Sequence, residues 1–341
     1  MRAVRNTAFV LGVAAGGALA LRAALQPRRR NYSFQGRNVL ITGGSRGLGL
    51  VLAREFYKQR ARVAICARNV AELERARLDL QLWREDVVTI PCDVTVKTEV
   101  DEMVLAVREQ LGPIDVLVNN AGVIAVGPME TMTIEDYQES MDTHFWAALY
   151  TTLAVLPQMR ERGHGRIVNI SSIGGMVSVP HLLPYCAGKF ALTGFSEGLR
   201  AELLKNNIYV TTVCPGLMRT GSARNAEFKG KHRAEYAFFS VSGSLPILSI
   251  DADRAGRQIV AACRRGAAEI VVSLPFKIAA RLHGLFPGTT ANILGMVNRV
   301  LPEPGGIGTR RAPGRESKSA ISESFLTRLN QWAAQRNNEV A

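Results

Sequence analysis

A chain of 341 residues, of which 47% are hydrophobic and 21% charged, suits one large α/β domain with extensions better than two equal domains. The formal net charge of +13 is concentrated at the start, where residues 1–37 contain seven arginines and no acid, so the body lacks the basic domain expected of a nucleic-acid-binding protein. The five cysteines form no Cys-x-x-Cys pair and no Cys/His cluster, which predicts reduced thiols in a cytosolic compartment and no metal site.

The first 35 residues contain an uncharged run, Ala8–Leu21, flanked by arginines. A cleaved secretory signal would explain the short apolar run, although the arginines that follow it oppose export. A mildly apolar leader without structure is a second alternative, since the run is short for a membrane span. We favour an uncleaved anchor, because the heavier positive charge on its C-terminal side keeps the body on the cytoplasmic side of a membrane.

Apolar, β-branched runs alternate with helical stretches through residues 36–275. The runs are Val39–Thr42, Val63–Cys66, Val87–Pro91, Val116–Asn119, Ile167–Ile170, Tyr209–Cys214 and Ile270–Ser273. Their near-continuous apolarity is typical of strands that are buried on both faces. The alternation predicts an α/β fold, with a Rossmann-type, doubly wound parallel sheet of about seven strands in a single domain. Ligands of such sheets bind beyond the carboxyl ends of the strands.

A glycine-rich turn with the spacing Gly-x-x-x-Gly-x-Gly follows the first predicted strand and precedes a helix. Glycines permit a tight turn and let a pyrophosphate approach the backbone, while the helix N-terminus supplies amide donors. The strand–turn–helix context predicts a dinucleotide site. Its expected residues are Thr42, Gly43, Ser45, Arg46, Gly47, Leu48 and Gly49.

The end of the second strand indicates which dinucleotide binds. NAD-binding proteins usually place an acid near this point for the ribose 2′-hydroxyl, whereas this chain has Ala67. Arg46 and Arg68 instead offer guanidinium groups that match a 2′-phosphate. The alternative is that Arg46 and Arg68 are exposed surface residues that bind no ligand. We predict NADP(H) in preference to NAD(H).

The other strand ends bring small and polar residues to the same edge of the sheet. Asp93 and Val94 follow the third strand and suit an adenine contact, although Asp93 equally suits a helix cap. The fourth strand is closed by Asn119-Asn120-Ala121-Gly122, and the sixth runs through Pro215-Gly216 toward Thr220.

Tyr185 and Lys189 are four residues apart, so they lie one turn apart on the same face of a helix. A free phenol has a pKa of about 10 and is a poor acid or base near neutrality. A neighbouring ammonium stabilises the phenolate and moves the tyrosine toward acid–base work. Ser172, which follows the fifth strand, is placed to hold a carbonyl oxygen as charge develops on it.

In order and spacing, these motifs resemble those of the classical short-chain dehydrogenases/reductases. The resemblance covers residues from about 36 to 275. It implies that Tyr185 is the general acid/base, that Lys189 lowers its pKa and holds the nicotinamide ribose, and that Ser172 polarises the substrate. It also implies a helix-mediated homodimer. The cofactor contacts that it implies include Asn119, Ala121, Gly122, Tyr185, Lys189, Pro215, Gly216 and Thr220.

One position departs from the family pattern. The family usually has an asparagine in the helix after the fourth strand, where it helps a proton relay reach the lysine, and His144 stands at that place. If the relay uses the backbone carbonyl of residue 144, a histidine can replace the asparagine. If the relay needs the asparagine's amide side chain, a histidine at this position weakens it. The resemblance implies an NADP-dependent oxidoreductase that interconverts a carbonyl and an alcohol. The alternative is a cofactor-binding but catalytically silent sensor or scaffold.

Residues 217–250 are expected to cover the reaction centre as a lid. Apolar side chains in the lid and in the stretch before Tyr185 predict a small lipophilic carbonyl or alcohol as the substrate. The side chains in question are Val177, Val179, Leu182, Leu183, Phe228, Tyr236, Phe238, Phe239, Val241, Leu245, Pro246 and Ile247.

Two segments follow the predicted domain. Residues 276–301 are apolar but interrupted by Pro287, which predicts amphipathic helices that lie either on the domain, the commoner outcome, or in a membrane interface. Residues 302–341 are expected to be a flexible tail. A short helix from about 322 to 335 would have Phe325, Leu329 and Trp332 on one face.

Overall fold

The computed structural model describes residues 32–84 and 86–340. The apolar run expected to be an anchor, Ala8–Leu21, lies outside the described residues. Within the described part of the chain, no helix is long and apolar enough to cross a membrane.

Seven parallel strands form the central sheet, as the sequence predicts. The strands are β1 (Asn38–Thr42), β2 (Arg62–Ala67), β3 (Val88–Pro91), β4 (Val116–Asn119), β5 (Gly165–Ile170), β6 (Ile208–Cys214) and β7 (Glu269–Val271). In space their order is β7-β6-β5-β4-β1-β2-β3, so the chain starts in the middle of the sheet and builds outward in both directions. The carboxyl ends of β1 and β4, where the direction of building reverses, are the usual ligand position in such sheets.

Helices cover both faces of the sheet. In β1, Val39 and Ile41 join one buried apolar cluster and Leu40 joins the other, because successive side chains of a strand point to opposite faces. All residues of β1, β4 and β5 are buried, which explains why the middle of each strand is apolar on both faces. The helices are α1 (Gly47–Lys58), α2 (Val70–Gln81), α3 (Lys97–Leu111), α4 (Ile134–Met141), α5 (Ala147–Arg162), α6 (Leu183–Leu203), α7 (His232–Ser244) and α8 (Ala252–Arg265).

Two further helices, α9 (Leu274–Leu285) and α10 (Pro287–Asn298), form a helical hairpin at the predicted break. Neither helix contains a buried residue. Leu285 is 72% exposed and Met296 66% exposed. The hairpin contacts the domain at the start of α9, where Phe276 lies against Gly216, and the rest of it does not pack along the domain.

Residues 302–340 lie against the body instead of leaving it. Ala312–Pro313 pairs antiparallel with Glu227–Phe228, and helix α11 (Arg328–Arg336) buries Asn330, Ala333 and Ala334. The face that carries Phe325, Leu329 and Trp332 points to solvent, with Phe325 80% exposed. The contact therefore depends on small and amide side chains, which the apolar pattern of the sequence does not indicate.

Candidate active site

A cleft of about 550 Å³ opens at the carboxyl ends of the strands, within the range of ligand sites. Most of the sequence-predicted residues line it. Among the candidates, Thr42, Gly49 and Asn119 lie behind the wall and support it. The predicted residues that line the cleft are Gly43, Ser45, Arg46, Gly47, Leu48, Arg68, Asp93, Val94, Ala121, Gly122, His144, Ser172, Tyr185, Lys189, Pro215, Gly216 and Thr220.

The glycine-rich turn depends on close backbone approach. Gly43 has a φ of 62°, and a Cβ placed on it would come within 2.9 Å of the Ala121 Cα. A Cβ on Gly49 would lie 2.1 Å from the Gly43 carbonyl oxygen. Thr42 Oγ1 accepts hydrogen bonds from the backbone N–H groups of Asn120 (3.0 Å) and Ala121 (3.1 Å). The turn and the end of β4 are thus held together as one wall of the cleft.

Two neighbouring asparagines have different tasks. The Asn119 side chain donates to Asn169 Oδ1 at 2.9 Å and accepts from Thr151 Oγ1 at 2.7 Å, so it ties β4 to β5 and α5 instead of facing the cleft. Asn120 Nδ2 donates to the carbonyl oxygens of Thr42 and Gly43, both at 3.0 Å. Sequence reasoning did not assign a role to Asn120, although an amide side chain beside a glycine-rich turn is suited to holding its carbonyl groups.

Carboxylates surround the two arginines, Arg46 and Arg68, that lie beside the glycine-rich turn. Arg46 pairs with Glu72 at 3.1 Å and with Glu339 at 3.7 Å. Arg68 lies 3.7 Å from Asp93. The Asp93 carboxylate also accepts from the Thr95 N–H and hydroxyl, and it therefore closes a local turn at the start of the next helix.

Ser172, Tyr185 and Lys189 meet at the inner end of the cleft. Burial raises the pKa of Tyr185 to about 12, although a hydrogen bond with Ser172 opposes that shift. Lys189 is 4% exposed and donates from Nζ to the Ile170 carbonyl at 2.8 Å. Burial lowers the pKa of Lys189 to about 7. Its Nζ lies 5.7 Å from the centre of the Tyr185 ring, so ammonium and phenol share one corner.

His144 lies in a π-helical turn, Asp142–Trp146, between α4 and α5, and such turns are frequent at functional sites. Its Nδ1 lies 3.0 Å from the Ser140 carbonyl oxygen. A carbonyl only accepts, so Nδ1 carries the proton and Nε2 keeps its lone pair. Burial, with a contribution from Lys189, holds the pKa of His144 well below its usual value, so the ring is neutral. Among the described residues, Nε2 has no hydrogen-bond partner.

Nε2 of His144 and Nζ of Lys189 face the same small space. The position that a Cβ on Gly122 would fill lies 3.4 Å from His144 Nε2 and 3.8 Å from Lys189 Nζ. The His144 ring also packs edge-on against Tyr185, with 5.3 Å between ring centres. The absence of a side chain at Gly122 therefore leaves room in which an acceptor and a donor converge.

The expected apolar lid side chains do not line the cleft. Phe228 and Tyr236 are buried together with Val126, while Ile247 is 83% exposed. Charged side chains line the cleft instead, and sequence reasoning missed two of them, Arg311 and Arg315, because they come from the C-terminal segment. These charged residues are Asp136, Glu139, Glu227, Arg311 and Arg315.

A family model described as short chain dehydrogenase matches residues 37–229, which is more than half of the chain. The chain belongs to the short-chain dehydrogenase family. It is therefore an oxidoreductase of a family that acts on alcohol and carbonyl groups with a nicotinamide dinucleotide, as the sequence motifs predict. This match confirms the resemblance to the short-chain dehydrogenases/reductases.

Curated relatives include an SDR family protein 7-like dehydrogenase/reductase of Anopheles gambiae, 37% identical over 62% of this chain and 68% of the relative. A putative ketoacyl reductase of Streptomyces coelicolor is 39% identical over 54% of this chain and 71% of the relative. The 3-ketodihydrosphingosine reductase of Mus musculus is 35% identical over 54% of this chain and 57% of the relative.

Two solved structures have the same fold. One, a short-chain dehydrogenase from Streptomyces avermitilis, has a TM-score of 0.66 and 28% identity, with 77% of this chain and 97% of that chain covered. A variant of actinorhodin polyketide ketoreductase, solved with NADPH, has a TM-score of 0.63 and 31% identity, with 71% of this chain and 97% of that chain covered.

Proposed function

We propose that this short-chain dehydrogenase is an NADPH-dependent reductase that converts a carbonyl of a lipophilic substrate to an alcohol. The observation that carries the proposal is the convergence of Ser172, Tyr185 and Lys189 at one end of a cleft whose other end is a glycine-rich turn. The cleft fits a dinucleotide because it runs from the glycine-rich turn, where α1 begins and its N-terminal N–H groups suit phosphates, to these three side chains.

The protonation states of the three side chains suit reduction. When bound, the dinucleotide supplies the hydride. Tyr185, with a pKa raised by burial to about 12, keeps its proton at neutral pH and donates it to the substrate oxygen. Ser172 donates a hydrogen bond to the same oxygen as negative charge develops there. Lys189, held by the Ile170 carbonyl, places an ammonium beside the phenol as its proton leaves.

His144 extends the proton path in this proposal. Its Nε2 lone pair and the Lys189 ammonium face the same space beside Gly122. A water in that space would accept a hydrogen bond from the Lys189 ammonium and donate one to Nε2, so it would be held beside Lys189. Once Lys189 has passed its proton toward Tyr185, this water would relay a proton from solvent to the neutral amine. A neutral histidine thus takes the supporting role that the resemblance implies for an asparagine.

The preference for NADPH rests on Arg46 and Arg68, which line the adenosine end of the cleft where Ala67 leaves no acid. The ketoreductase neighbour was solved with NADPH, which supports this choice. We expect an Arg46→Ala/Arg68→Asp variant to lose at least about tenfold in its kcat/KM ratio of NADPH to NADH, as loss of a charge-assisted contact worth about 1.4 kcal/mol predicts. Arg77→Ala, which removes a half-buried arginine paired with Glu74 on α2, away from the cleft, is the control. A double variant that keeps the NADPH preference would contradict the assignment.

The names of two relatives support a lipophilic carbonyl compound as the substrate. Two relatives are named as reductases of a ketoacyl compound and of 3-ketodihydrosphingosine, and both names describe carbonyls on apolar chains. We expect NADPH oxidation with long-chain or polycyclic ketones and little with small sugars. Turnover that is confined to sugars and polyols would contradict the lipophilic class.

We also propose that the enzyme acts at a membrane surface. The exposed apolar side chains of α9 and α10 lie in a stretch, residues 270–302, that contains Lys277, Arg281 and Arg299 and no acid. An amphipathic, basic hairpin of this kind fits the headgroup region of an anionic membrane. The N-terminal anchor and the cytoplasmic orientation stay predictions. The helix-mediated homodimer stays one as well, with Leu153 on α5 and Phe190 on α6 exposed.

A further inference from the structure

The C-terminal end of the chain lies on the phosphate-binding turn. The Gly47 N–H, at the N-terminus of α1, donates to the Asn337 carbonyl oxygen at 2.9 Å. Asn338 Nδ2 donates to the Ser45 carbonyl at 2.8 Å. The Glu339 carboxylate lies 3.7 Å from Arg46 Nε. Three consecutive residues, Asn337–Glu339, thus contact the part of the turn that the proposed function assigns to phosphate groups.

Side chains from three other elements hold this segment. Arg54 of α1 donates to Asn337 Oδ1 at 3.2 Å, and Arg75 of α2 donates to Asn338 Oδ1 at 2.8 Å. Asn225 donates to the Glu339 carboxylate. Asn337 is 2% exposed and Glu339 7% exposed. The segment is therefore seated in a built site and is not a loose end resting on a surface.

The groups that this segment uses are those that bind anions. Backbone N–H groups at a helix N-terminus and a nearby guanidinium are the usual partners of a dinucleotide's phosphates. Here a carbonyl oxygen accepts from the first of these N–H groups, and a carboxylate pairs with the guanidinium. Glu72 and Glu339 together place two acidic side chains beside Arg46, where a 2′-phosphate would have to approach.

We propose that Asn337–Glu339 is an intramolecular competitor for the phosphate groups of the dinucleotide, so that cofactor binding displaces the C-terminal segment from the turn. The inference rests on the proposed function, because it takes the turn to be the phosphate site. Displacement breaks the contacts of Asn338 and Glu339 and offers Arg46 and the Gly47 N–H to the cofactor.

The test measures NADPH affinity by isothermal titration calorimetry with the full chain, with a chain that ends at Arg336, and with Asn338→Gly. Asn338 has a φ of 56°, which glycine adopts without strain, so Asn338→Gly removes the side-chain hydrogen bonds and keeps the backbone. Asn207→Gly is the matched control, since Asn207 has a φ of 58° and precedes β6, at the end of the sheet opposite the cleft. Melting temperatures confirm that each variant is folded.

We expect both C-terminal variants to bind NADPH more tightly than the full chain, by about fivefold for each net hydrogen bond removed, and Asn207→Gly to bind as the full chain does. Hydrogen exchange in residues 337–340 of the full chain should accelerate when NADPH is added. Equal affinity in all chains, weaker binding by the C-terminal variants, or slower exchange would overturn the competitor while leaving the proposed function standing. Failure of every chain to bind NADPH would overturn both.

Discussion

At the scale of single residues, burial sets the protonation states around the proposed reaction centre. It raises the pKa of Tyr185 to about 12 and lowers that of Lys189 to about 7, while the pKa of His144 falls well below its usual value. Near neutral pH the phenol is protonated, the imidazole is neutral, and the ammonium is close to releasing its proton. This order of affinities suits delivery of a proton through Lys189 toward Tyr185 during reduction.

His144 tests the relay most directly. His144→Leu removes the Nε2 acceptor and puts an apolar side chain of similar size in place of the ring. We expect this variant to lower kcat by about fivefold or more, with little change in the KM for NADPH. His144→Asn restores an acceptor and should recover most of the rate. Steady-state kinetics with both variants check this. Equal loss in the two variants would assign His144 a packing role only.

At the scale of elements, the glycine-rich turn limits which side chains α1 can have at its start. A Cβ on Gly49 would lie 2.1 Å from the Gly43 carbonyl, so we expect Gly49→Ala to destabilise the protein by about 1–3 kcal/mol and to weaken NADPH binding. Gly198 in α6 has no atom within 4 Å of its Cβ position, so Gly198→Ala should stabilise the helix by up to about 1 kcal/mol. Chemical denaturation measures both values. A Gly49→Ala variant with unchanged stability would contradict the close approach of residue 49 to the Gly43 carbonyl oxygen.

The hairpin of α9 and α10 is the element that would meet a membrane. All five native cysteines are buried, so a single introduced cysteine can be labelled selectively with an environment-sensitive dye. Leu282 in α9 is 51% exposed and Leu78 in α2 is 53% exposed, which makes them a matched pair. With vesicles that contain anionic phospholipid, we expect a blue shift of the dye emission for Leu282→Cys and none for Leu78→Cys. No shift at either position would contradict interfacial contact of the hairpin.

At the scale of the whole molecule, the sequence predicts those parts of the fold that local pattern determines. Buried parallel strands such as Val116–Asn119 are apolar on both faces up to their last residue, and the glycines between Thr42 and Gly49 are required by a turn that no other residue fits as well. The family and the seven-stranded sheet follow from these patterns, and both are confirmed. The candidate site residues assemble around one cleft, although their roles stay predictions.

The rest depends on contacts between residues that are far apart in the chain. Asn338 is 293 residues from Ser45, and Arg311 is 175 residues from Asp136, so no local sequence pattern predicts either contact. The C-terminal segment docks through amide and small side chains, including Ala334 against Gly221, while its apolar face points outward. A pattern of apolar residues predicts the wrong side of such a helix. Part of the charged lining of the cleft, Arg311 and Arg315, is likewise contributed by this distant C-terminal segment.

The central claim is that Tyr185 donates a proton to a substrate carbonyl. The measurement that tests it most directly is NADPH oxidation by long-chain and polycyclic ketones with the native chain and with Tyr185→Phe, alongside calorimetric NADPH binding by both. We predict turnover by the native chain, a loss of at least about 100-fold in kcat/KM for Tyr185→Phe, and similar NADPH affinity in the two proteins. NADPH binding without turnover by the native chain would favour a scaffold, and undiminished turnover by Tyr185→Phe would contradict the assigned chemistry.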